Sequence, residues 1–454
     1  MFEFGRDLRR RLSGDNALKF PSDGLTRGDG ALLELLDLGL LQAEAKAADI
    51  AAGRISAKDV PAARLSAAVV WRELARRSGD AVALRKAAAH AQAALDGFES
   101  DGRTALAARA RCEQAAAAML GAELFGDDGL NAAAAMTLKA ASVQTGVGAA
   151  LAQAMLAGLD GRRVLADGDA AAALVASAAF EAPLAALEAA GRRAAQARLA
   201  AAEQRIVRAD ILIGCAGRLK DRALAVEAVA ELKIALQRLD SSYEPLLWAR
   251  AQALRGSALT LLGELEADMG LIADGVDALA DAIESVGRDH SPLDWARAQA
   301  MLGLALSMMG EAAANGRAFD QAVSCYDRAD GVLKSQPALA LRAAVSSQRA
   351  AALARCAELT GDIAVLDAAE AAYRGELSSK SATQDPVAWA VCQTNLARLY
   401  ETRAEITGRD NGQRAAAAVA LSAAFDVFAE QGLRSLSDMA LTALERVRNA
   451  EAPN

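Results

Sequence analysis

Three segments of the chain align without gaps: PLLWARAQALRG at 245–256, PLDWARAQAMLG at 292–303 and PVAWAVCQTNLA at 386–397. Trp248 and Trp295 are 47 residues apart, and Trp389 follows after 94, twice that interval. A degenerate copy is therefore expected between the last two. Pro337 opens it, and Gln348 takes the place held by Gln252, Gln299 and Gln393. Glycines opening G-D-A-like turns at Gly79, Gly126, Gly168, Gly217, Gly270, Gly316, Gly361 and Gly408 carry a mean period of 47 toward the N-terminus. A period of that length signals one supersecondary unit repeated, with neighbours burying the faces that a single unit cannot.

Each unit reads as two helices. Proline suits the first position of a helix, where its missing N–H has no partner to lose. Over 292–309, Trp295, Ala298, Met301, Leu302, Ala305 and Met308 fall at spacings of three and four, one helical face. A glycine-containing turn then ends the helix. Over 319–332, Ala322, Val323, Tyr326 and Ala329 repeat the spacing. Composition agrees: about a quarter of the 454 residues are alanine and only 4% are aromatic, which favours close-packed helices over a pleated sheet.

These residues resemble the tetratricopeptide repeat, in a long bacterial version of about 47 residues. Gln299, Leu302 and Gly303 match its first-helix pattern, with glutamine in place of the usual large aromatic. Ala322, Tyr326 and Ala329 match its second helix; Ala369 and Tyr373 match in the next unit, where Glu376 departs. The resemblance implies an all-α fold, a right-handed α-α superhelix of about eight helix pairs, whose concave surface binds peptides or protein segments without catalysis. The expected organisation is an amphipathic segment and capping helices at 1–59, degenerate units at 60–240, tetratricopeptide-like repeats at 241–431 and a capping helix at 432–454. In that last helix Leu436, Met439, Ala440, Leu444 and Val447 are expected to face inward.

The sequence offers little chemistry. It has no G-x-x-x-x-G-K-[ST] loop, G-x-S-x-G elbow or H-E-x-x-H pair. Two histidines cannot build a multi-histidine metal centre. His90 reads as a surface or packing residue and His290 as an exposed turn residue. No catalytic residue, metal or cofactor is expected. A net charge of −8 argues against nucleic acid as the default partner. Five scattered cysteines without a C-x-x-C pair, and no apparent signal peptide, point to a reduced, cytoplasmic protein. The uncharged run from Ala140 to Leu159 contains Gly146 and Gly148 and reads as two soluble helices, not a transmembrane span.

Binding is the remaining expectation. The tryptophans suit packing between helices, with ligand contact as the alternative. Gln252, Gln299 and Gln393 form a recurring amide ladder that serves either a bound peptide backbone or neighbouring repeats. Arg250, Arg255, Arg297 and Arg398 lie on first helices and are the groove candidates for an acidic partner; the competing reading pairs them with Glu264, Asp294 or Glu311. At the start of the chain, Phe2, Phe4, Leu8 and Leu12 alternate with Arg6, Arg9, Arg10 and Arg11. That pattern fits a basic amphipathic helix on an anionic membrane, a helix docked on protein, or a frayed terminus. The expected function is a protein–protein interaction scaffold or adaptor; the alternative is a peripheral membrane or polar assembly factor. The oligomeric state is not readable.

Overall fold

A computed structural model describes residues 30–54, 58–336, 338–379, 383 and 385–451. The basic segment with Phe2, Phe4, Arg9, Arg10 and Arg11 lies outside the described residues, as does Pro337. Among the described residues all regular structure is helical, with no strand. A 3-10 turn at Gly30–Leu35 leads into α1 (Leu38–Ala52), and eight helix pairs follow. The first four are α2 (Val60–Ser78) with α3 (Ala81–Ser100), α4 (Thr104–Phe125) with α5 (Asp128–Ser142), α6 (Val147–Ala166) with α7 (Ala170–Ala178) and α8 (Glu181–Gly191), and α9 (Ala195–Leu219) with α10 (Arg222–Gln237). The next four are α11 (Pro245–Glu266) with α12 (Met269–Ser285), α13 (Pro292–Ala313) with α14 (Gly316–Leu333), α15 (Leu339–Thr360) with α16 (Ile363–Ser379), and α17 (Pro386–Thr407) with α18 (Gln413–Glu430). Helix α19 (Arg434–Glu451) ends the array.

The turn inside each pair has a consistent construction. One residue with positive φ ends the first helix: Gly79, Gly126, Gly168, Lys220, Ala267, Ala314, Gly361 and Gly408. From Lys220 onward the step is 47 every time. The next residue is usually an aspartate or asparagine whose side chain accepts a backbone N–H at the start of the second helix. Asp80 does so from Val82, Asp127 from Gly129, Asp221 from Ala223, Asp268 from Gly270, Asn315 from Arg317 and Asp362 from Ala364. A left-handed residue closes one helix and an Asx cap opens the next. This corrects the glycine register: Gly217 lies within α9, Gly270 within α12, and Gly316 starts α14. At those three turns a residue with a Cβ carries the left-handed conformation.

Two compact units divide the chain: Met1–Ala305 with Gly331–Arg342, and Leu306–Asp330 with Ala343–Asn454. In the first, alanines such as Ala202, Ala209, Ala228, Ala235, Ala251 and Ala258 are buried in the seams between helices. Helices α11 and α12 touch at glycines. A Cβ on Gly256 would stand 2.7 Å from the Gly275 carbonyl, and one on Gly275 would stand 2.7 Å from the Gly256 carbonyl. Trp248 and Trp295 pack, half-buried, against the cluster of Leu246, Ala249, Leu279 and Val286. In the second unit Tyr373 is buried among Ala350, Leu353, Ala369 and Leu396, and Trp389 packs against Ala390, Phe428 and Ala440.

Two further expectations are settled here. In α19, Ala440, Leu444 and Val447 are buried and Leu436 is half-buried, but Met439 is 64% exposed, because it lies on the face turned away from α18. The run 140–159 is broken between α5 and α6 at Gly146, where φ is +92°. Among the described residues one stretch, Ala170–Gly191, is long and apolar enough to cross a membrane. It is interrupted at Ala179 and Phe180, and Phe180, Leu184 and Leu187 are buried in the protein's own core.

Candidate binding site on the first helices

The most chemically organised region of the first unit lies where first helices of distant pairs meet. Arg76 and Arg77 end α2, and Glu73 precedes them by one turn. Arg76 is 6% exposed and Arg77 fully buried, so each needs a partner of its own. Arg76 donates to Glu73 at 2.7 and 2.8 Å and to Asp294 Oδ2, on α13, at 2.6 Å. Arg77 donates to Glu73 at 2.6 Å and to the backbone carbonyls of Leu36 and Leu33 at 2.7 and 2.6 Å. Ser291 donates to Asp294 at 2.6 Å.

The 3-10 segment completes the cluster. Glu34 Oε2 accepts the backbone N–H groups of Leu246 and Leu247 at 2.8 and 3.0 Å. These are first-turn amides of α11, which the helix itself leaves without acceptors. His290 Nε2 lies 2.6 Å from the Glu34 carbonyl and donates to it, fixing the ring's tautomer.

Charge follows this geometry. Burial alone raises the Asp294 carboxyl, but Arg76, Arg250 and Arg297, with the Ser291 hydroxyl, hold it down at about 2. Burial is likewise outweighed at Glu73, which Arg76 and Arg77 keep well below the usual carboxylate range. Glu34 goes the other way: burial pushes its carboxyl up against the pull of Arg250. Burial, followed by the Arg77 charge, lowers the His290 imidazole. The expected exposed turn histidine is thus half-buried, because the 3-10 segment covers it.

The groove candidates separate on this background. Arg250 is half-buried on α11, and its Nε donates to the Leu246 carbonyl of its own helix at 3.4 Å. Arg297 is paired with Glu123 on α4 and lies 3.8 Å from Asp294. Arg255 is half-buried on α11 and has no ion pair among the described residues. Arg398 belongs to the second unit, where it is exposed and paired with Glu358 at 2.7 Å. Gln252 is buried, with its amide 3.5 Å from Asp281 of its own pair. Gln299 is buried, with Oε1 unpartnered, and Gln393 is half-buried in the second unit. Of the carboxylates suggested as partners, Asp294 does face Arg297. Glu264 pairs with Lys220, and Glu311 with Arg355.

A second hollow, of about 300 Å³, is lined by Asp49, Arg64, Lys86, Ala89 and His90. His90 is buried there, 2.6 Å from Asp49 and 3.3 Å from Arg64. Trp71 and Lys86 each donate to Asp49 at 2.7 Å. Among the described residues no group of three or more histidine, cysteine, aspartate or glutamate side chains is placed to hold a metal ion. Sequence reasoning did not reach Glu34, Glu73, Arg76 or Arg77. The available signal was an arginine doublet in the apolar run VVWRELARR.

The 47-residue helix pairs, with Ala322, Tyr326 and Ala329 all buried on the second helix of their pair, make this a tetratricopeptide-like helical-repeat fold. No family model matches the chain, and no curated protein matches it. Among solved structures it is similar to a Rap protein complexed with competence and sporulation factor, at 14% identity and a TM-score of 0.48, covering 86% of this chain and 98% of that one. It is also similar to a STAND signal-transduction ATPase with a tetratricopeptide repeat sensor from Pyrococcus horikoshii, at 12% identity and a TM-score of 0.47, covering 89% of this chain and 55% of that one. A human IFIT1 dimer gives 15% identity and a TM-score of 0.38, covering 97% and 96%.

Proposed function

We propose that the protein is a non-catalytic interaction scaffold that holds a peptide or a partner's segment on the face built by its first helices. The observation that carries this reading is the seat of the 3-10 segment. Helices α2 and α11 hold a short stretch of chain through its carbonyls and one carboxylate. Rigid stacked helix pairs present such donors without having to order them at the moment of binding. The polar groups that converge here are arginine–carboxylate pairs and backbone donors, the chemistry of recognition.

The test uses the tagged full chain in a native lysate, with captured proteins identified by mass spectrometry. A parallel Arg255→Glu variant reverses a groove arginine that has no ion pair among the described residues. The expected result is a specific partner whose recovery falls at least tenfold in the variant. Recovery of only the proteins seen with a tag-only control would defeat the proposal.

A further inference from the structure

We propose that the seat of residues 33–36 is a peptide-binding site whose resident occupant is the chain's own segment, and that a partner supplying a leucine-flanked glutamate competes for it. The inference rests on the scaffold reading and adds to it the chemistry of the ligand.

The seat recognises its occupant as a receptor recognises a peptide. Three of its contacts are to backbone: Arg77 to the Leu33 and Leu36 carbonyls, and His290 to the Glu34 carbonyl. Those contacts tolerate any side chain. Selectivity comes from Glu34, whose carboxylate satisfies two amides at the start of α11, and from the buried side chains of Leu33 and Leu36. A neutral or shorter side chain at the central position forfeits those charge-assisted bonds.

The same contacts explain why exchange is favoured over simple opening. All the donors sit on α2, on α11 and in the loop before α13, and they stay there when the segment leaves. An empty seat trades its charge-assisted bonds for water and returns the side chains of Leu33 and Leu36 to solvent, which is costly. A ligand with the same carbonyls and carboxylate removes that cost. The occupant itself is held weakly enough to exchange. It is a six-residue 3-10 turn, a form with poorer hydrogen-bond geometry than the α-helix.

The experiment titrates a fluorescein-labelled copy of residues 30–38, GALLELLDL, into the full-length protein and into a full-length Glu34→Ala variant. Hydrogen exchange over 33–36 and thermal melts by circular dichroism are followed in both. The expected results are at least tenfold tighter binding by the variant, faster exchange over 33–36, and a cooperative melt. The same peptide with glutamine in place of its glutamate should bind the variant at least tenfold more weakly. Faster exchange without tighter peptide binding overturns the proposal, since the seat is then empty yet does not accept a peptide. Unchanged exchange overturns it too, because Glu34 is then not the latch, and loss of the cooperative melt makes the segment part of the fold and not an occupant. If the peptide fails while both forms still capture a common partner from lysate, this inference falls and the scaffold reading stands.

Discussion

Arg76 and Asp294 are 218 residues apart in sequence, and their side chains meet at 2.6 Å, both buried. The pair ties the first helix of the first repeat to the first helix of the sixth. Arg297 makes a second such tie from α13 to Glu123 on α4. In a strictly linear array each repeat touches only its neighbours. Here one buried ion pair closes four intervening repeats, so its loss reaches beyond the two helices that carry it.

Asp294→Ala leaves the Arg76 guanidinium buried with only Glu73 to balance it. Breaking a buried pair in this way costs about 3 to 5 kcal/mol. Urea denaturation of the first unit should shift accordingly. The pH dependence has a definite sign. Because the folded Asp294 carboxyl is depressed to about 2, its stabilisation is fully present above the ordinary aspartate value near 3.8 and disappears as pH falls between those values. The alanine variant should lack this acid-sensitive component. By contrast Arg398→Ala, at an exposed pair, should cost no more than about 1 kcal/mol.

Ala267→Gly is expected to stabilise the protein. Ala267 ends α11 with φ of +54°, a conformation that costs a residue with a Cβ about 1 kcal/mol relative to glycine. Part of that gain is lost to the greater freedom of glycine in the unfolded chain. A net gain of about 0.5 kcal/mol in chemical denaturation is the outcome to look for, and a loss of stability would contradict this account of the turn.

Gly256→Ala should destabilise. The added methyl would stand 2.6 Å from Leu279 Cγ and 2.7 Å from the Gly275 carbonyl. A backbone oxygen cannot rotate out of the way as a side chain can, so α11 and α12 must separate. Overpacking of this kind costs about 1 to 3 kcal/mol, read as a lower midpoint in urea.

The five cysteines should be nearly silent toward a thiol reagent in the native state. All five are buried and unpaired by disulfide. Burial, aided by neighbouring carboxylates, pushes the Cys112 thiol to about 12 and the Cys356 thiol to about 11, so almost no thiolate exists at pH 8. Ellman's reagent should label all five only after denaturation; rapid labelling of Cys112 in the folded protein would refute this.

The helix pairs were legible because their signals are local. Proline opens α11, α13 and α17, apolar residues recur every three or four positions, and an aspartate or asparagine follows the left-handed turn. The glycine register was misleading at three turns because it followed residue type. Conformation, not glycine, repeats there: Lys220, Ala267 and Ala314 each carry the positive φ although each has a Cβ. The tryptophans read as packing residues and do pack.

What the sequence by itself determined was an all-helical chain of repeated helix pairs, stepping by 47 from Lys220 onward, since helix starts, stops and buried faces depend on neighbours within a few residues. Which polar groups meet was decided by the tertiary structure. Glu34 reaches α11, Arg77 reaches the carbonyls of a segment about forty residues earlier, and Asp294 reaches α2 only because the intervening repeats curve by a particular amount. That curvature accumulates from small rotations at each alanine and glycine seam, and no single local motif encodes their sum.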